Sequence, residues 1–311
     1  MSQFFDDLHA KCADLPPMPT AVAHPCDAVS LSGAVDAAEA GLLRPILVGP
    51  EHKIRAVAEA EGLDLSPYEL IPTKHSHAAA EKAVALVREG TASVLMKGSL
   101  HTDELMHEVT QKATGLRTDR RLSHVYVMHV PTYPKLLMVT DAAINIYPTL
   151  EDKRDICQNA IELAQALGIA TPKVGILSAV ETVTPKLPST VEAAALCKMA
   201  DRGQITGGLL DGPLAFDNAI SKEAAEIKHI RSEVAGDVDI LLAPDLEAGN
   251  MLAKQLTFLA NADAAGLVVG ARVPIILTSR ADSVPARLAS CAVAAIFAAA
   301  RQGLRDAAAE D

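Results

Sequence analysis

The feature that most constrains the fold of this chain is a regular alternation of short apolar segments with Ala-rich stretches of helical character. The alternation begins near Thr20 and continues to about Gln302. This βαβα order is typical of a parallel sheet with helices packed on its faces. The predicted strands are continuous apolar runs, so we expect helices to cover both faces of each sheet.

One region departs from this order. Two extended runs, HVYVMHV and KLLMVTD, are separated only by PTYP, and a short separator bracketed by prolines predicts a hairpin. The chain has 311 residues, which at about 150 residues per domain predicts two domains. No Gly/Ser-rich linker marks a boundary between the domains. We place the boundary near Pro134 because one βα series gives way to the next there.

Charge narrows the possible partners. Lys and Arg number 28 against 39 Asp and Glu, a net charge of −11, which disfavours nucleic acid and anionic membranes as partners. An anionic substrate must then be bound by local cations. Trp is absent and aromatic residues make up 3% of the chain, so the core must consist mainly of Ala, Val, Leu and Ile.

The sequence predicts a cytoplasmic location. The five cysteines are scattered without a C-x-x-C pair, which fits a reducing compartment, and we interpret all five as small buried apolar residues. The N-terminus is acidic where a signal peptide would be basic and then apolar. The longest apolar run, Leu288 to Ala300, is shorter than the roughly 20 residues that span a bilayer, so we expect a buried helix.

Four segments could carry chemistry, and the first runs from Pro274 to Ser283, where a strand leads directly into a helix. Backbone N–H groups at a helix start bind anions, and Ser279 and Arg280 add a hydroxyl donor and a bidentate clamp. The alternative is that Thr278, Ser279, Asp282 or Ser283 only caps the helix.

The second segment, Val238 to Asn250, is again a strand followed by a helix start. Asp245 is placed to cap that helix, whereas Gly249 and Asn250 are poor residues for a helix interior. Either the backbone here approaches a ligand, or Gly249 permits close packing between helices.

The third and fourth segments supply cations. Lys97 ends an apolar strand and Gly98 permits a tight turn, so Lys97 could meet a phosphate or could be an ordinary surface lysine. Arg117, Arg120 and Arg121 form the densest local group of cations and could bind an anionic substrate. The alternative is that they lie in a solvated surface loop.

Other chemistries find little support. The histidine pairs lack the spacing that places two imidazoles on one helix face, so we predict no metal site. A dinucleotide-binding G-x-G-x-x-G after a strand, a P-loop and a G-x-S-x-G elbow are all absent from the sequence.

Taken together and in this order, the four segments resemble the phosphate acetyltransferase and phosphate butyryltransferase family. The strongest matches are PDLEAGNMLAKQL and SRADS, and weaker ones are MKGSLHTDEL, the GLR and LSH around Arg117 and His124, and TDAAINIYP. The similarity extends over nearly the whole chain.

The resemblance implies a fold like that of the isocitrate and isopropylmalate dehydrogenases. That fold has two α/β domains around a deep cleft, with largely parallel sheets covered by helices and a C-terminal helix that returns to the first domain. We therefore predict a first domain of residues 1–134 plus 273–311 and a second of residues 135–272. A homodimer is also implied.

The implied reaction converts acyl-CoA and phosphate to acyl phosphate and CoA by direct attack in a ternary complex. Arg280 would clamp phosphate and Ser279 would donate a hydrogen bond to the leaving thiolate. The remaining predicted contacts to substrate come from residues that match weaker parts of the motifs. These are Lys97, Gly98, Arg117, Asp245, Gly249 and Asn250. Coenzyme A is substrate or product, and no further cofactor is expected.

Two positions depart from the acetyl-type pattern. The aspartate proposed as base for the CoA thiol matches Ala286, which leaves Asp282 as the nearest candidate. A substrate-binding arginine matches Met106, and Arg117 could replace it. These differences favour the shorter butyryl-like branch. The rivals are a metal- and NAD-dependent dehydrogenase of the same fold and a non-catalytic CoA-binding relative.

Overall fold

The computed structural model describes residues 3–277 and 282–310, with side chains at 4–277 and 282–304. The strands are β1 (Met18–Ala23), β2 (Leu43–Gly49), β3 (Glu69–Pro72), β4 (Val94–Lys97), β5 (Ser123–His129), β6 (Leu137–Thr140), β7 (Lys173–Leu177), β8 (Leu209–Leu214), β9 (Ile240–Leu242), β10 (Asp263–Val269) and β11 (Ile275–Ile276). The helices are α1 (Gln3–Cys12), α2 (Ala28–Glu39), α3 (Glu51–Glu61), α4 (Ser76–Arg88), α5 (Thr102–Thr110), α6 (Leu150–Ala166), α7 (Pro188–Asp201), α8 (Phe216–Ile220), α9 (Lys222–Ile227), α10 (Leu246–Leu259) and α11 (Val284–Glu310).

The chain divides into two compact units. Unit 1 consists of Met1–Arg120 and Ala265–Asp311, and unit 2 consists of Arg121–Ala264. The boundary predicted near Pro134 differs from this division. It falls inside the β5–β6 hairpin, whose backbone hydrogen bonds hold both strands in unit 2.

The sheet of unit 1 has the strand order β3-β2-β1-β4-β11-β10. The first five strands are mutually parallel. Only β10 runs antiparallel, beside β11, with Val268 opposite Ile275. The prediction of a largely parallel sheet with intervening helices is therefore confirmed for this unit.

The sheet of unit 2 has the order β5-β6-β9-β7-β8. The predicted hairpin is confirmed, since β5 and β6 pair antiparallel with Val125 opposite Thr140. Strands β6, β9, β7 and β8 are parallel. The whole is thus a mixed α/β fold in which parallel pairing dominates.

Several elements differ from the sequence prediction. Strand β8 begins at Leu209, whereas the apolar run ITGGLL predicted an earlier start. Two short helices, α8 and α9, lie between β8 and β9 where no helix was predicted. Their sequences have only five and six residues, too short to show a helical period.

The long helix α11 is the apolar run anticipated near the C-terminus. Its stretch from Val284 to Leu304 is long and apolar enough to cross a membrane by composition, but 61% of an 18-residue window of that stretch is buried inside the protein. It packs against α1, α2, β1, β4 and β11. The buried helix predicted from the sequence is confirmed, because Ala289, Cys291 and Val293 are at most 1% exposed.

The cysteines only partly match their prediction. Cys12, Cys157 and Cys291 are buried, but Cys26 and Cys197 are partly exposed. All five are free thiols. Burial raises the pKa of the Cys26 thiol to about 11, so it stays protonated near neutral pH.

Candidate active site

Three of the four predicted site segments, those that contain Lys97, Asp245 and Asp282, follow the carboxyl ends of parallel strands. In unit 1, Ala23 of β1 pairs with Lys97 of β4, and Ile276 of β11 pairs with Met96. In unit 2, Thr140 of β6 pairs with Leu242 of β9. These carboxyl edges are where open α/β sheets place their ligands.

Lys97 and Gly98 form a tight turn at the carboxyl edge of unit 1. The Lys97 ammonium donates to the carbonyls of Gly98 and Leu100, at 3.2 and 3.3 Å. A Cβ added at Gly98 would lie 2.4 Å from the carbonyl oxygen of Ala23. Gly98 is therefore required by the close approach of two backbone segments, which is a packing role.

Sequence reasoning missed the residues on the other side of this turn. The Ser99 hydroxyl donates to the His24 carbonyl at 2.8 Å, and it also lies 3.0 Å from His24 Nδ1. His24 has a φ of 56°, a conformation that is uncommon for a residue with a side chain. Burial and Lys53 lower the pKa of the His24 imidazole, partly opposed by carboxylates. A histidine directly after a predicted strand was the available signal.

The arginines do not gather at this edge. The backbone of Arg117 bridges Ala271, and Arg272 N–H donates to the carbonyl of Leu116. Because β10 runs antiparallel to β11, the turn at Ala271 lies at the amino edge of the parallel strands, opposite Lys97. The hypothesis that Arg117 replaces the arginine expected at Met106 gains no support from this placement.

The Ser-Arg pair, Ser279 and Arg280, lies outside the described residues, and its predicted roles stay predictions. The backbone carbonyl of Asp282, the first described residue after the gap, accepts a hydrogen bond from Arg287 Nη1 at 2.7 Å. Ser283 Oγ accepts from the N–H of Ala286, so Ser283 is one cap of α11. Arg287 is only 8% exposed and holds the start of this helix in place.

In unit 2, the predicted residues of the P-D-x-x-x-G-N segment lie together. Asp245 caps α10, with its carboxylate accepting from Ala248 N–H at 2.8 Å. A Cβ at Gly249 would lie 2.3 Å from the carbonyl oxygen of Asp141. Asn250 Nδ2 donates to the carbonyl of Ala142 at 3.0 Å. The segment therefore seats the loop that follows β6, and Gly249 is needed for packing of helix against loop.

That loop is organised by a buried carboxylate, Asp141, which is 3% exposed. Its Oδ1 accepts the backbone N–H groups of His124, Ala143 and Ile144. Its Oδ2 accepts the backbone N–H and the side-chain amide of Asn145, at 3.0 and 2.5 Å. Five donors thus satisfy one carboxylate, which fixes the loop against β5.

Asp141 was not among the predicted site residues, although TDAAINIYP was noted as a family-like segment. The signal was an aspartate directly after a predicted strand with an asparagine four residues later. A basic residue also contacts this loop, since Arg121 Nε donates to Asn145 Oδ1 at 2.8 Å. Arg121 therefore contacts the Asp141 loop, although its side chain is 57% exposed, as the solvated-loop interpretation allows.

The histidines weighed as metal ligands have other surroundings. His75 caps α4 by accepting from Ala78 N–H, and His101 and His107 are exposed. Within the described residues, no group of three or more His, Cys, Asp or Glu side chains is arranged to hold a metal. The prediction that no metal takes part stays a prediction.

Similarity to known proteins covers almost the whole chain. A family model described as "Phosphate acetyl/butaryl transferase" matches residues 73–295. A phosphate acetyltransferase of Rhizobium meliloti is 67% identical over 304 residues, which cover 98% of this chain and 96% of that protein. A phosphate butyryltransferase of Clostridium beijerinckii is 44% identical over 299 residues, covering 96% and 99% of the two chains.

Solved structures agree. A branched-chain phosphotransacylase from Enterococcus faecalis V583 superposes with a TM-score of 0.79 at 31% identity, covering 90% of this chain and 99% of that one. A 4-hydroxythreonine-4-phosphate dehydrogenase from Klebsiella pneumoniae reaches a TM-score of 0.56 at 12% identity, covering 91% and 99%, a likeness of fold alone. This chain belongs to the phosphate acetyltransferase and phosphate butyryltransferase family.

Proposed function

We propose that this protein reversibly transfers a short acyl group between CoA and inorganic phosphate. The observation that carries the proposal is the 67% identity to a phosphate acetyltransferase across 98% of the chain. The chain is also 44% identical to a phosphate butyryltransferase, so the proposed acyl group ranges from acetyl to butyryl. The substrates are then acyl-CoA and phosphate, and no metal or nucleotide is required.

The chemistry follows from what the substrates need. Phosphate is a weakly nucleophilic anion that must be held against a thioester, so catalysis rests mainly on positioning. Arg280 is proposed to clamp the phosphate, and Ser279 to donate a hydrogen bond to the departing thiolate. Asp282 is proposed as the base for the CoA thiol in the reverse direction.

The described geometry supports a positioning role for two loops. Around Lys97 and Gly98, the turn is fixed against β1 by backbone packing. Around Asp141 and Gly249, the loop is fixed by five hydrogen bonds and by α10. Rigid loops at sheet carboxyl edges are suited to hold two substrates in register.

The finer architecture is part of the same proposal. We infer two α/β domains around a cleft, a homodimer and a cytoplasmic location from the family resemblance. The exposed Phe258 and Leu259 at the end of α10, 78% and 81% exposed, support an interface between copies. Light scattering on the purified chain, with Phe258→Ser and Leu259→Ser variants as comparison, tests the dimer.

The decisive experiment follows free thiol released from acetyl-, propionyl- and butyryl-CoA with phosphate present, absent or replaced by arsenate. We expect release only with phosphate or arsenate and without NAD or metal. Release without phosphate would indicate a thioesterase, and a strict need for NAD and metal would indicate the rival dehydrogenase. Binding of CoA without turnover would indicate a non-catalytic relative.

A further inference from the structure

A cavity of about 440 Å³ lies at the amino edge of the sheet of unit 1, and every residue that lines it belongs to that unit. Ser93 and Pro274, which directly precede the parallel strands β4 and β11, both line it. Lys97 ends β4 four residues after Ser93, which places it about 13 Å away at about 3.3 Å per residue. The cavity is therefore separate from the carboxyl edge of the sheet, where the predicted site residue Lys97 lies.

Three arginines from three different parts of the fold line this cavity. Arg88 lies in the last turn of α4, Arg272 in the turn between β10 and β11, and Arg301 in α11. Among the described residues that line the cavity, none is acidic, and Glu89 beside Arg88 is not one of them. In a chain with a net charge of −11, this local concentration of guanidinium groups favours the binding of an anion.

Arg301 is held in place by the protein itself. Its Nη1 donates to the carbonyl of Ala271 at 2.8 Å, and its Cζ lies 5.6 Å from the centroid of the Phe297 ring. Phe297 is 3% exposed, so the core fixes this ring. A side chain that is already ordered loses little conformational entropy when a ligand binds, which favours affinity. Arg88 and Arg272 are exposed, so they carry their charges without the cost of burial.

The rest of the lining is largely apolar. Five apolar side chains contribute to it: Val87, Ala92, Val273, Pro274 and Ala298. A bare phosphate ion has no apolar surface to place against them, whereas an organic molecule does. The volume also falls in the range of about 300–1,000 Å³ that is usual for sites of small organic ligands. The expected ligand therefore joins an apolar part to an anionic part.

The number of arginines indicates how much negative charge the ligand carries. A phosphate monoester carries at most about two negative charges, and a single arginine can bind a phosphate through two parallel N–H bonds. Three guanidinium groups therefore suit a ligand with a second phosphate group. A purine or pyrimidine base supplies an apolar part, so a nucleoside diphosphate meets both requirements.

We propose that this cavity binds a nucleoside diphosphate at a site distinct from the candidate active site. The nucleotide is either free or the nucleotide part of CoA, because both present the same chemistry. The proposal goes beyond the proposed acyl transfer and does not depend on it, since it rests on the lining of a cavity at the opposite edge of the sheet.

Calorimetric titration of the full chain with ADP tests the proposal, with adenosine and pyrophosphate as the apolar part and the anionic part alone. We expect one ADP to bind per chain with a Kd of about 1 mM or tighter. Adenosine and pyrophosphate should each bind at least roughly tenfold more weakly, because each lacks one of the two parts. If ADP does not bind, or binds no better than pyrophosphate, the proposal is overturned.

The double variant Arg88→Gln/Arg272→Gln removes two of the three charges and leaves Arg301, which also bonds to the backbone. We expect ADP to bind about 100-fold more weakly, or roughly tenfold for each lost arginine. Arg44→Gln/Arg55→Gln is the matched control, because it changes the net charge equally at exposed positions outside the cavity. The Kd for ADP in the control should stay within about threefold of wild type. Equal losses in both double variants would show a general effect of charge and overturn the proposal.

Titration with CoA separates the two sources of the nucleotide. If the cavity binds the nucleotide part of CoA, the wild-type chain binds two CoA molecules and Arg88→Gln/Arg272→Gln binds one. If it binds a free nucleotide, both chains bind one CoA, and ADP binds to the wild type beside CoA. Competition between ADP and a single bound CoA would place ADP in the active site and overturn the proposal. A chain that binds ADP but neither binds CoA nor transfers acyl groups would refute the proposed function and leave this site standing.

Discussion

Units 1 and 2 both hold loops at the carboxyl ends of parallel strands, but by different interactions. In unit 1, the turn at Gly98 lies directly on the backbone of β1, and one neutral hydroxyl, Ser99, bridges His24 and Cys26. In unit 2, the loop after β6 wraps around one buried carboxylate, Asp141. A loop that is held by a carboxylate depends on a single side chain, whereas a loop that is packed on backbone does not.

Among the substitutions that test this difference, we expect Asp141→Asn to lower the free energy of unfolding most. The substitution replaces one acceptor oxygen by an NH₂ group that faces buried N–H donors, which costs about 1–3 kcal/mol for each unsatisfied donor. We expect the free energy of unfolding of the full chain to fall by about 3 kcal/mol in urea titrations.

Two control variants calibrate this result. Ser99→Ala removes the neutral bridge of unit 1 and should cost only about 1 kcal/mol. Asp64→Asn changes an exposed aspartate that also accepts a backbone N–H, from Ser66, and should change stability much less than Asp141→Asn. Similar losses for Asp141→Asn and Ser99→Ala would remove the distinction between the two units.

The next effect tests what the two units share. Gly249 and Gly98 each place a Cβ position within 2.4 Å of a backbone oxygen, and backbone cannot move aside as a side chain can. We expect Gly249→Ala and Gly98→Ala each to lower the free energy of unfolding by about 2 kcal/mol, as overpacking does. Gly303→Ala is the matched control, because no atom beyond its chain neighbours and its own helix backbone lies within 4 Å of its Cβ position. That helical substitution should be neutral or stabilising by up to about 1 kcal/mol. A harmless Gly249→Ala would show that the loop can shift.

The pH dependence of stability sharpens the comparison further. Burial lowers the pKa of the fully buried His124 in unit 2 from 6.5 to about 4. Burial also lowers the pKa of His24 in unit 1, but that residue is only half-buried. With a folded pKa below the unfolded one, the unfolded chain binds more protons between these values. Stability contributed by the neutral ring is therefore present above about pH 6.5 and is lost as pH falls toward 4.

We expect His124→Gln to flatten this acid limb by nearly one proton, or about 1.4 kcal/mol per pH unit. His24→Asn, which tolerates the left-handed backbone, should flatten it less. Urea titrations from pH 4 to pH 7.5 measure both slopes. An unchanged slope in His124→Gln would mean that the ring is already protonated in the folded chain.

The smallest effect concerns the start of α11 in unit 1. Ser283→Ala removes a capping oxygen and should cost about 1 kcal/mol. Asp282→Asn leaves that cap and the carbonyl bound by Arg287 in place, so its loss of stability should be smaller. Thermal melts of the two variants decide this. A larger loss in Asp282→Asn would return the capping role to Asp282, as its sequence context allows.

Local patterns predicted the elements well but the site only in part. Asp245 was correctly anticipated as a helix cap, because the cap and the N–H it binds are three residues apart. The hairpin followed from its prolines. The place of Arg117 in the fold could not be predicted from the sequence, because an antiparallel β10 carries its backbone partner, Ala271, to the opposite edge of the sheet. Strand direction of this kind is not encoded in the spacing of neighbouring residues.

The sequence by itself determined the α/β class, the largely parallel pairing and the family, since these depend on periodicity and on short motifs. The tertiary structure alone decided what Asp141, Gly249 and His124 do. One donor to Asp141 comes from β5, the clash at Gly249 of α10 is with Asp141 in the loop after β6, and the burial that keeps His124 neutral is produced by packing around β5. Each effect acts between residues far apart in the chain, and hydrogen bonds, steric contact and desolvation arise only once folding has placed them within a few ångströms.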